Sequence, residues 1–246
     1  MGQTIKTNIP QVDKAARDEE KLNYVKSTLD ASKLRLLEAT TEKGASSWLT
    51  TMPIKNHGLN LSKQEFWDAI YLRFGFTLPR LPTKCVCEKD FSVEHALSCQ
   101  RGGFIHIRHN DIRDFTAELL REVSTDVAIE PLLTPLSGEK FKHKTANKED
   151  HARLDVAARG VWTRGNRAYF DVRVFNPLAP TYRSKTLKAA HKENESAKKR
   201  EYGERVLNVE HGTFTPLVFS CYGGMSTECS RFNDRLSEML SVMILG

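Results

Sequence analysis

Three cysteines and a histidine lie within residues 85–99, in the order Cys85, Cys87, His95 and Cys99. Three thiolates and one imidazole form a tetrahedral zinc shell, and metal binding folds segments that are too short for a core of their own. We therefore expect this segment to bind zinc, with His95 and Cys99 on one side of a helical turn. Because four protein ligands leave no open position for water, the predicted zinc is structural.

Two readings of this cluster stay open at the sequence level. The three cysteines can instead be buried thiols, with a histidine nearby by chance. A zinc knuckle can serve as a nucleic-acid grip or only as a staple of the fold. Cys221 and Cys229 are far away in sequence and are expected to be core or surface thiols.

The composition limits the class of protein. A chain of 246 residues with 39% hydrophobic residues can bury a substantial core, in one large domain or two modest ones. The odd number of cysteines, five, fits a metal site in a reducing compartment better than a disulfide framework. The net charge of +6 favours a polyanionic partner such as nucleic acid.

The sequence shows no sign of a membrane span or of secretion. It has no run of about 18 apolar residues, and "MGQTIKTNIP" has no apolar signal-peptide core. Lys6 stands where a myristoylation signal has Ser or Thr. We expect no membrane partner and a location in cytosol or nucleus.

Four regions are predicted along the chain. Residues 1–45 are polar and are expected to form a helical linker or docking arm. Residues 46–82 are a helical segment leading to the knuckle, with a helix that Ser62 caps and that Pro79 and Pro82 end. Residues 83–108 are the zinc knuckle, and residues 109–246 form the main domain.

The main domain is predicted to be α/β. Its apolar spacing gives the order helix, three strands, helix, strand, helix, with Asn110 as a candidate cap of the first helix. The second and third strands, "ARLDVAARGVW" and "AYFDVRVFN", each carry one aspartate, Asp155 and Asp171. Because alternate strand residues share a face, Phe170 and Val172 are expected in the core, with Asp171 on the other face.

Asp155 and Asp171 are candidate magnesium ligands. Directly opposed residues of an antiparallel pair have Cβ atoms roughly 5 Å apart, so two carboxylates there can share one divalent ion. Opposition requires a hairpin centred on Thr163, whereas the turn signal "TRGN" is centred between Arg164 and Gly165, so a bulge or a slanted pair is expected. The alternative is a solvated outer face of the hairpin.

The helix after these strands is basic. Lys192, Glu195, Lys199 and Tyr202 follow helical spacing, with Lys188 extending the same face. A lysine delivered beside two aspartates can stabilise the charge that develops on a phosphate, and the basic face can follow a phosphate backbone. The alternative is an ordinary solvated helix.

Together these motifs resemble the PD-(D/E)XK restriction-like nuclease core. "RLD", ending in Asp155, stands in place of the family's "PD", and "DVR" at 171–173 in place of its "(D/E)xK". Two residues depart from the pattern, Leu154 for proline and Arg173 for lysine. The second matters because arginine does not release a proton and is a poor base.

The order of motifs is also similar to the endonuclease region of site-specific non-LTR retrotransposon polyproteins. There a Cys-Cys-His-Cys knuckle precedes the acidic pair, and a lysine on the next helix lies three residues before a tyrosine. Here "CVC…H…C", "RLD", "FDVRV" and "KREY" occur in that order, and "SSWLTTMP…FWDAIYLRFG" is similar to segments that join polymerase to knuckle. The chain has no "YxDD"-like polymerase signature, so the resemblance implies a truncated copy or a domesticated fragment.

The resemblance implies roles for further residues. Lys199 takes the role of the relocated lysine ahead of Tyr202, with Lys198 as a substitute, Tyr202 is a further catalytic residue, and Arg173 contacts the phosphate. Glu118 and Glu122 of the first helix are candidates for a further carboxylate, with Glu130 on the first strand as an alternative third magnesium ligand. The candidate nucleic-acid-binding residues are Arg101, Arg108, Lys188, Lys192, Lys198 and Arg200.

The sequence thus predicts a nuclear DNA endonuclease with structural Zn²⁺ and catalytic Mg²⁺, on a restriction-endonuclease-like core preceded by a zinc knuckle and a helical N-terminal segment. A catalytically inactive nucleic-acid-binding module is the main alternative, favoured by Arg173. A zinc-stapled protein-interaction domain is a third, and it predicts no salt-dependent DNA affinity. DNA is the expected partner, with RNA as an alternative; the oligomeric state stays open.

Overall fold

A computed structural model describes residues 10–51, 58 and 60–245 as an α/β protein with a four-stranded mixed sheet. A five-residue π-helical stretch, Lys199–Gly203, joins two of the helices, and a 3₁₀ turn covers Ser47–Leu49. The other elements in chain order are α1 (Pro10–Thr28), α2 (Ala31–Thr40), α3 (Lys63–Phe74), α4 (Val93–Ala96), α5 (Phe104–Val123), β1 (Thr125–Ile129), β2 (Val156–Arg159), β3 (Arg167–Phe175), α6 (Pro180–Arg183), α7 (Leu187–Lys198), α8 (Glu204–Asn208), β4 (Thr213–Ser220) and α9 (Thr227–Leu245).

The sheet has the strand order β1-β2-β3-β4. The pairs β1–β2 and β2–β3 are antiparallel, and β4 lies parallel to β3 after the crossover through α7 and α8. The predicted order of helix, three strands, helix, strand, helix is confirmed for α5 to α9. β2 is shorter than the sequence indicated, because it begins only at Val156 and leaves Asp155 at its entrance.

Helices cover both faces of the sheet. On one face Phe170 and Val172 pack with Leu120 of α5 and Phe232 of α9. On the other face Tyr169 packs with Tyr202, and Phe175 packs with Ala190 of α7. The interpretation of a solvated outer face is therefore wrong. The strand period places Phe170 and Val172 correctly but cannot show that a second layer covers the opposite side.

The β2–β3 hairpin is centred on Thr163. Val156 is opposite Phe170 and Arg159 is opposite Arg167, with no bulge between them. The loop covers residues 161–165, between the hydrogen-bonded Gly160 and Asn166. The expected bulge is thus absent from this strand pair. Burial decides the difference, because Val161 is fully buried and Trp162 Nε1 donates to Thr215 Oγ1, which keeps both residues out of a tight two-residue turn.

The described part of the N-terminal arm contains two helices, α1 and α2. Asp30 separates them and caps α2 by accepting from Lys33 N. α2 docks on the main domain: the buried guanidinium of Arg35 donates to Pro177 O and Tyr182 O, at 3.4 and 3.2 Å. A buried charge is stable only when its donors are paired, so these bonds fix the position of α2.

Ser62 caps α3 as predicted, in a full capping box with Glu65. The helix ends at Gly75 in the left-handed conformation, with φ of 69°, so it ends before Pro79 and Pro82. Residues 52–57 and 59 of the 46–82 region lie outside the described residues. No helix in the described part of the chain is long and apolar enough for a bilayer.

α5 begins at Phe104, with Gly103 as its N-cap residue, so Asn110 is an interior residue rather than the cap. The helix continues across the expected boundary between residues 108 and 109. The knuckle region and the main domain therefore share α5, and the Cys/His cluster is attached to the sheet through this helix.

Candidate active site and metal centre

The Cys/His cluster is formed by a turn followed by one helical turn. Cys85 N donates to Lys89 O, and Phe91 N donates to Thr83 O, which closes a tight loop around Cys87. Ser92 then caps α4 by accepting from His95 N. Cys99 N donates to His95 O, so both ligand side chains lie on one side of a helical turn, as predicted.

The ligand atoms of Cys85, Cys87, His95 and Cys99 all lie within 4.8 Å of one another. Cys85 Sγ is 3.8 Å from Cys99 Sγ, and Cys87 Sγ is 3.2 Å from His95 Nε2. This set of soft ligands could hold a metal such as zinc. Among the described residues it is the one group of three or more His, Cys, Asp or Glu side chains this close together, and Cys221 and Cys229 lie outside it.

The register of the hairpin brings Asp155 and Asp171 to neighbouring positions. Extending the β2–β3 pairing by one residue from Val156 and Phe170 places Asp155 opposite Asp171. At this point Asp155 N donates to Phe170 O, and Asp155 Oδ2 accepts from Val172 N at 2.6 Å. The carboxylate of Asp155 is therefore held against the β3 backbone beside Asp171.

Asp171 is a buried carboxylate, with 6% of the residue exposed. Its Oδ2 lies 2.9 Å from Nζ of Lys198 in an ion pair. The pKa of Asp171 is raised to about 6, chiefly by burial; the charge of Lys198 lowers it in part, and the charge of Asp155 adds to the rise. The two carboxylates thus interact, and desolvation is the dominant influence.

Lys198, not Lys199, is the lysine at this site. Lys199 is 43% exposed and pairs with Glu228 of α9 at 3.1 Å. Lys198 is largely buried, and although burial lowers its pKa, the attraction of Asp171 raises that pKa overall. The expected placement of Lys199 is therefore wrong, and the substitute considered for it occupies the position.

Helical spacing alone does not choose between the two lysines. Residues three and four apart both share a helix face, so Lys199 and Lys198 are each candidates to meet Tyr202. In the structure Nζ of Lys198, just before the π-helical stretch, lies 5.4 Å from the ring centre of Tyr202, four residues later. The motif had instead indicated Lys199 for this position.

Tyr202 supports the site from the core. Its ring is buried with Leu133, Leu154 and Tyr169, and its hydroxyl accepts from Asn147 Nδ2 at 3.4 Å. Burial raises the pKa of Tyr202 well above the usual range of tyrosine. The tyrosine predicted to be catalytic therefore contacts Lys198 and positions it.

His109 was not predicted as a site residue. Its Nε2 lies 3.2 Å from Asp155 Oδ2, and the bond to Asp155 raises the pKa of His109. The α5 side chain that reaches Asp155 is thus a histidine, whereas Glu118 and Glu122 are exposed farther along the helix. The one sequence feature that could have indicated His109 is the position of a titratable residue near the start of α5, the first helix of the main domain.

Glu130 and Arg173 lie at the margin of the site. Glu130 N donates to Asp155 O, but its carboxylate is 51% exposed and accepts from Arg113 Nη1. It belongs to no three-ligand group within the described residues, which does not favour it as a magnesium ligand. Arg173 is exposed on the face of Asp171 and is near enough to Lys198 to oppose the rise of the Lys198 pKa.

The predicted nucleic-acid-binding residues fall into two groups. Arg101, Lys188, Lys192 and Arg200 are exposed. Arg108 is half-buried near Cys221, and burial lowers its pKa; Lys198 is engaged by Asp171. The packing of α5 turns Arg108 inward, which its position in the sequence does not show.

The two aspartates fit a magnesium ion in one respect. No hydrogen bond or ion pair engages Oδ1 of Asp155 or Asp171 within residues 10–51, 58 and 60–245. Each therefore has one oxygen free for a ligand, and Mg²⁺ commonly takes one or two carboxylates and retains several waters. Asp155 and Asp171 would hold the ion.

No protein-family model matches this chain, and no curated protein is significantly similar to it in sequence. Support for a function therefore comes from the residues of the site itself.

Proposed function

We propose that this protein is a metal-dependent DNA endonuclease with a restriction-endonuclease-like core. The observation that carries the proposal is the convergence of Asp155, Asp171 and Lys198 from the entrance of β2, from β3 and from the end of α7. Two acids beside an ammonium group are the chemistry of phosphodiester hydrolysis. The same motif order supports an origin in a non-LTR retrotransposon and action in the nucleus.

Each residue has a distinct role in this proposal. When Mg²⁺ is bound by Asp155 and Asp171, it supplies a Lewis acid and a site for an activated water. Lys198 stabilises the charge that develops on the phosphate. Tyr202 positions the ammonium group of Lys198 through the contact with its ring. His109 orients Asp155 through its 3.2 Å contact. Arg173 is exposed beside the site and contacts an adjacent phosphate.

Plasmid nicking with Mg²⁺ tests the proposal. Asp171→Asn retains the shape of the buried side chain but removes the charge, so nicking should fall by roughly 10²–10³-fold. Asp234→Ala, at an exposed acid of α9, is the control and should leave the rate unchanged. Equal nicking by Asp171→Asn and the parent would exclude the catalytic assignment.

A catalytically inactive DNA-binding module is the second candidate. It is favoured by Arg173, which stands where the family pattern has a lysine. It is also favoured because one oxygen of each aspartate is already engaged: that of Asp171 by Lys198, and that of Asp155 by Val172 N and His109. It predicts salt-dependent DNA binding by the parent and by Asp171→Asn, with no Mg²⁺-dependent nicking by either.

A further inference from the structure

A groove of about 510 Å³ lies between the residues after α2, the first turns of α7 and the start of α9. Three lysines line it: Lys43 from the N-terminal arm, and Lys188 and Lys192 from α7. All three are exposed, and none forms an ion pair within the described residues. We call this set the lysine groove.

The two acids that line the lysine groove already have partners. Glu42 Oε1 lies 3.1 Å from His191 Nε2, and its Oε2 accepts from Ser220 Oγ. Glu195 accepts from Glu228 N at 3.1 Å and is also near Lys199. Neither acid is ion-paired with a lysine of the groove, so the three lysines outnumber the two carboxylates there. A concave surface with an excess of one sign of charge concentrates ligands of the opposite sign.

Lys43 is held in the groove by packing on both sides of it in the chain. The adjacent Glu42 pairs with His191, which is 5% exposed. Gly223, in the turn before α9, has a φ of 92°, and a Cβ there would lie 3.2 Å from the backbone Cα of Ala45. The turn before α9 thus needs glycine so that the arm can approach it, which fixes a lysine from outside the main domain beside α7.

We propose that the lysine groove binds backbone phosphates of DNA, one at each lysine, a proposal that rests on the proposed endonuclease function. Lys188 precedes Lys198 by ten positions, or about 15 Å along a helix at 1.5 Å per residue. A DNA strand rises 3.4 Å per nucleotide, so the phosphate bound at Lys188 would be about four nucleotides from the one at Asp171. The N-terminal arm thereby becomes part of the DNA-binding surface.

The test measures DNA affinity of the full chain against salt concentration, with a generic 30-base-pair duplex. Removing three phosphate contacts by Lys43→Ala, Lys188→Ala and Lys192→Ala should weaken binding at least about tenfold and reduce the salt slope by nearly 3. The matched control replaces three exposed lysines of α1, Lys14, Lys21 and Lys26, with alanine. Its loss of net charge is identical, but its slope should change by less than 1.

Equal slopes in the two triple variants would overturn the proposal. It would also be overturned if orthophosphate perturbs the groove lysines in NMR spectra while DNA affinity does not depend on them, since the site would then take a free anion. Magnesium-dependent nicking that requires Asp171 would survive either result, so a failure of the groove is distinguishable from a failure of the endonuclease function. Unchanged melting temperatures would establish that both triple variants are folded.

Discussion

The Cys/His cluster and the aspartate site differ in how the chain assembles them. The four ligands of the cluster come from residues 85–99, held by one turn and one short helix. The aspartate site draws His109 from α5, Asp155 and Asp171 from the hairpin, and Lys198 from α7. One site is local in sequence, and the other exists only when four elements have packed together.

This difference shows which sites can be inferred from spacing. Ligand spacing in a short segment depends on local backbone geometry, so the cluster was predicted with the correct four residues. A site shared by helices and strands also depends on helix phase and burial. In that site the two aspartates were predicted, but the wrong lysine was chosen and His109 was overlooked.

The largest expected effect is the loss of the Cys/His cluster without loss of the sheet. The parent is expected to bind one zinc per chain. A double variant, Cys85→Ser with Cys99→Ser, should bind none and should lose the hydrogen-exchange protection of residues 83–103, while β2 to β4 remain protected. The binding free energy of a structural zinc is about 10–16 kcal/mol in small zinc fingers, far more than the apolar contacts of so short a segment. Metal content and amide exchange measure this.

Cys221→Ser is the control for that experiment, because Cys221 is outside the cluster. It should retain one zinc per chain. If the double variant also retains its zinc, or if the sheet loses protection together with the cluster, the cluster is not an independent metal-dependent unit.

A smaller effect separates two neighbouring lysines of the assembled site. Lys198→Ala should reduce nicking by roughly 10²–10³-fold, the usual loss when one group that stabilises a developing charge is removed. Lys199→Ala should change nicking by less than twofold, because Lys199 pairs with Glu228 instead. Single-turnover rates at saturating DNA measure both, and the reverse ranking would restore the α-helical alignment of Lys199 with Tyr202.

The smallest effect concerns the pH dependence of stability. The pKa of Asp171 is about 6 in the folded protein, against an ordinary value of 3.8. Because the folded value is the higher one, the contribution of Asp171 is full below pH 4 and is lost as the pH rises through 6. A shift of this size corresponds to about 3 kcal/mol.

Urea unfolding without metal, compared between the parent and Asp171→Asn from pH 4 to 7, isolates this contribution. The stability of the parent relative to Asp171→Asn should fall as the pH rises toward 6 and then remain constant. A constant difference across the whole range would mean that the carboxylate is not desolvated as the structure indicates.

The elements of the main domain were predicted in the correct order, whereas the hairpin register was not. Apolar periodicity identifies α5 to α9 and the four strands because the apolar residues of each element recur on the face that the element buries. The "TRGN" signal placed the turn too late, since burial of Val161 and the bond from Trp162 to Thr215 select a longer loop. These contacts come from residues distant in sequence.

The four residues of the Cys/His cluster, the order of elements and the two aspartates could be predicted from the amino-acid sequence. These features follow from spacing and periodicity, which act within one segment of chain. The burial of Asp171, the position of Lys198 beside it and the approach of Lys43 to α7 follow only from the packed fold. Such outcomes depend on helix phase and on which layer covers each face, and the packing of remote segments determines both.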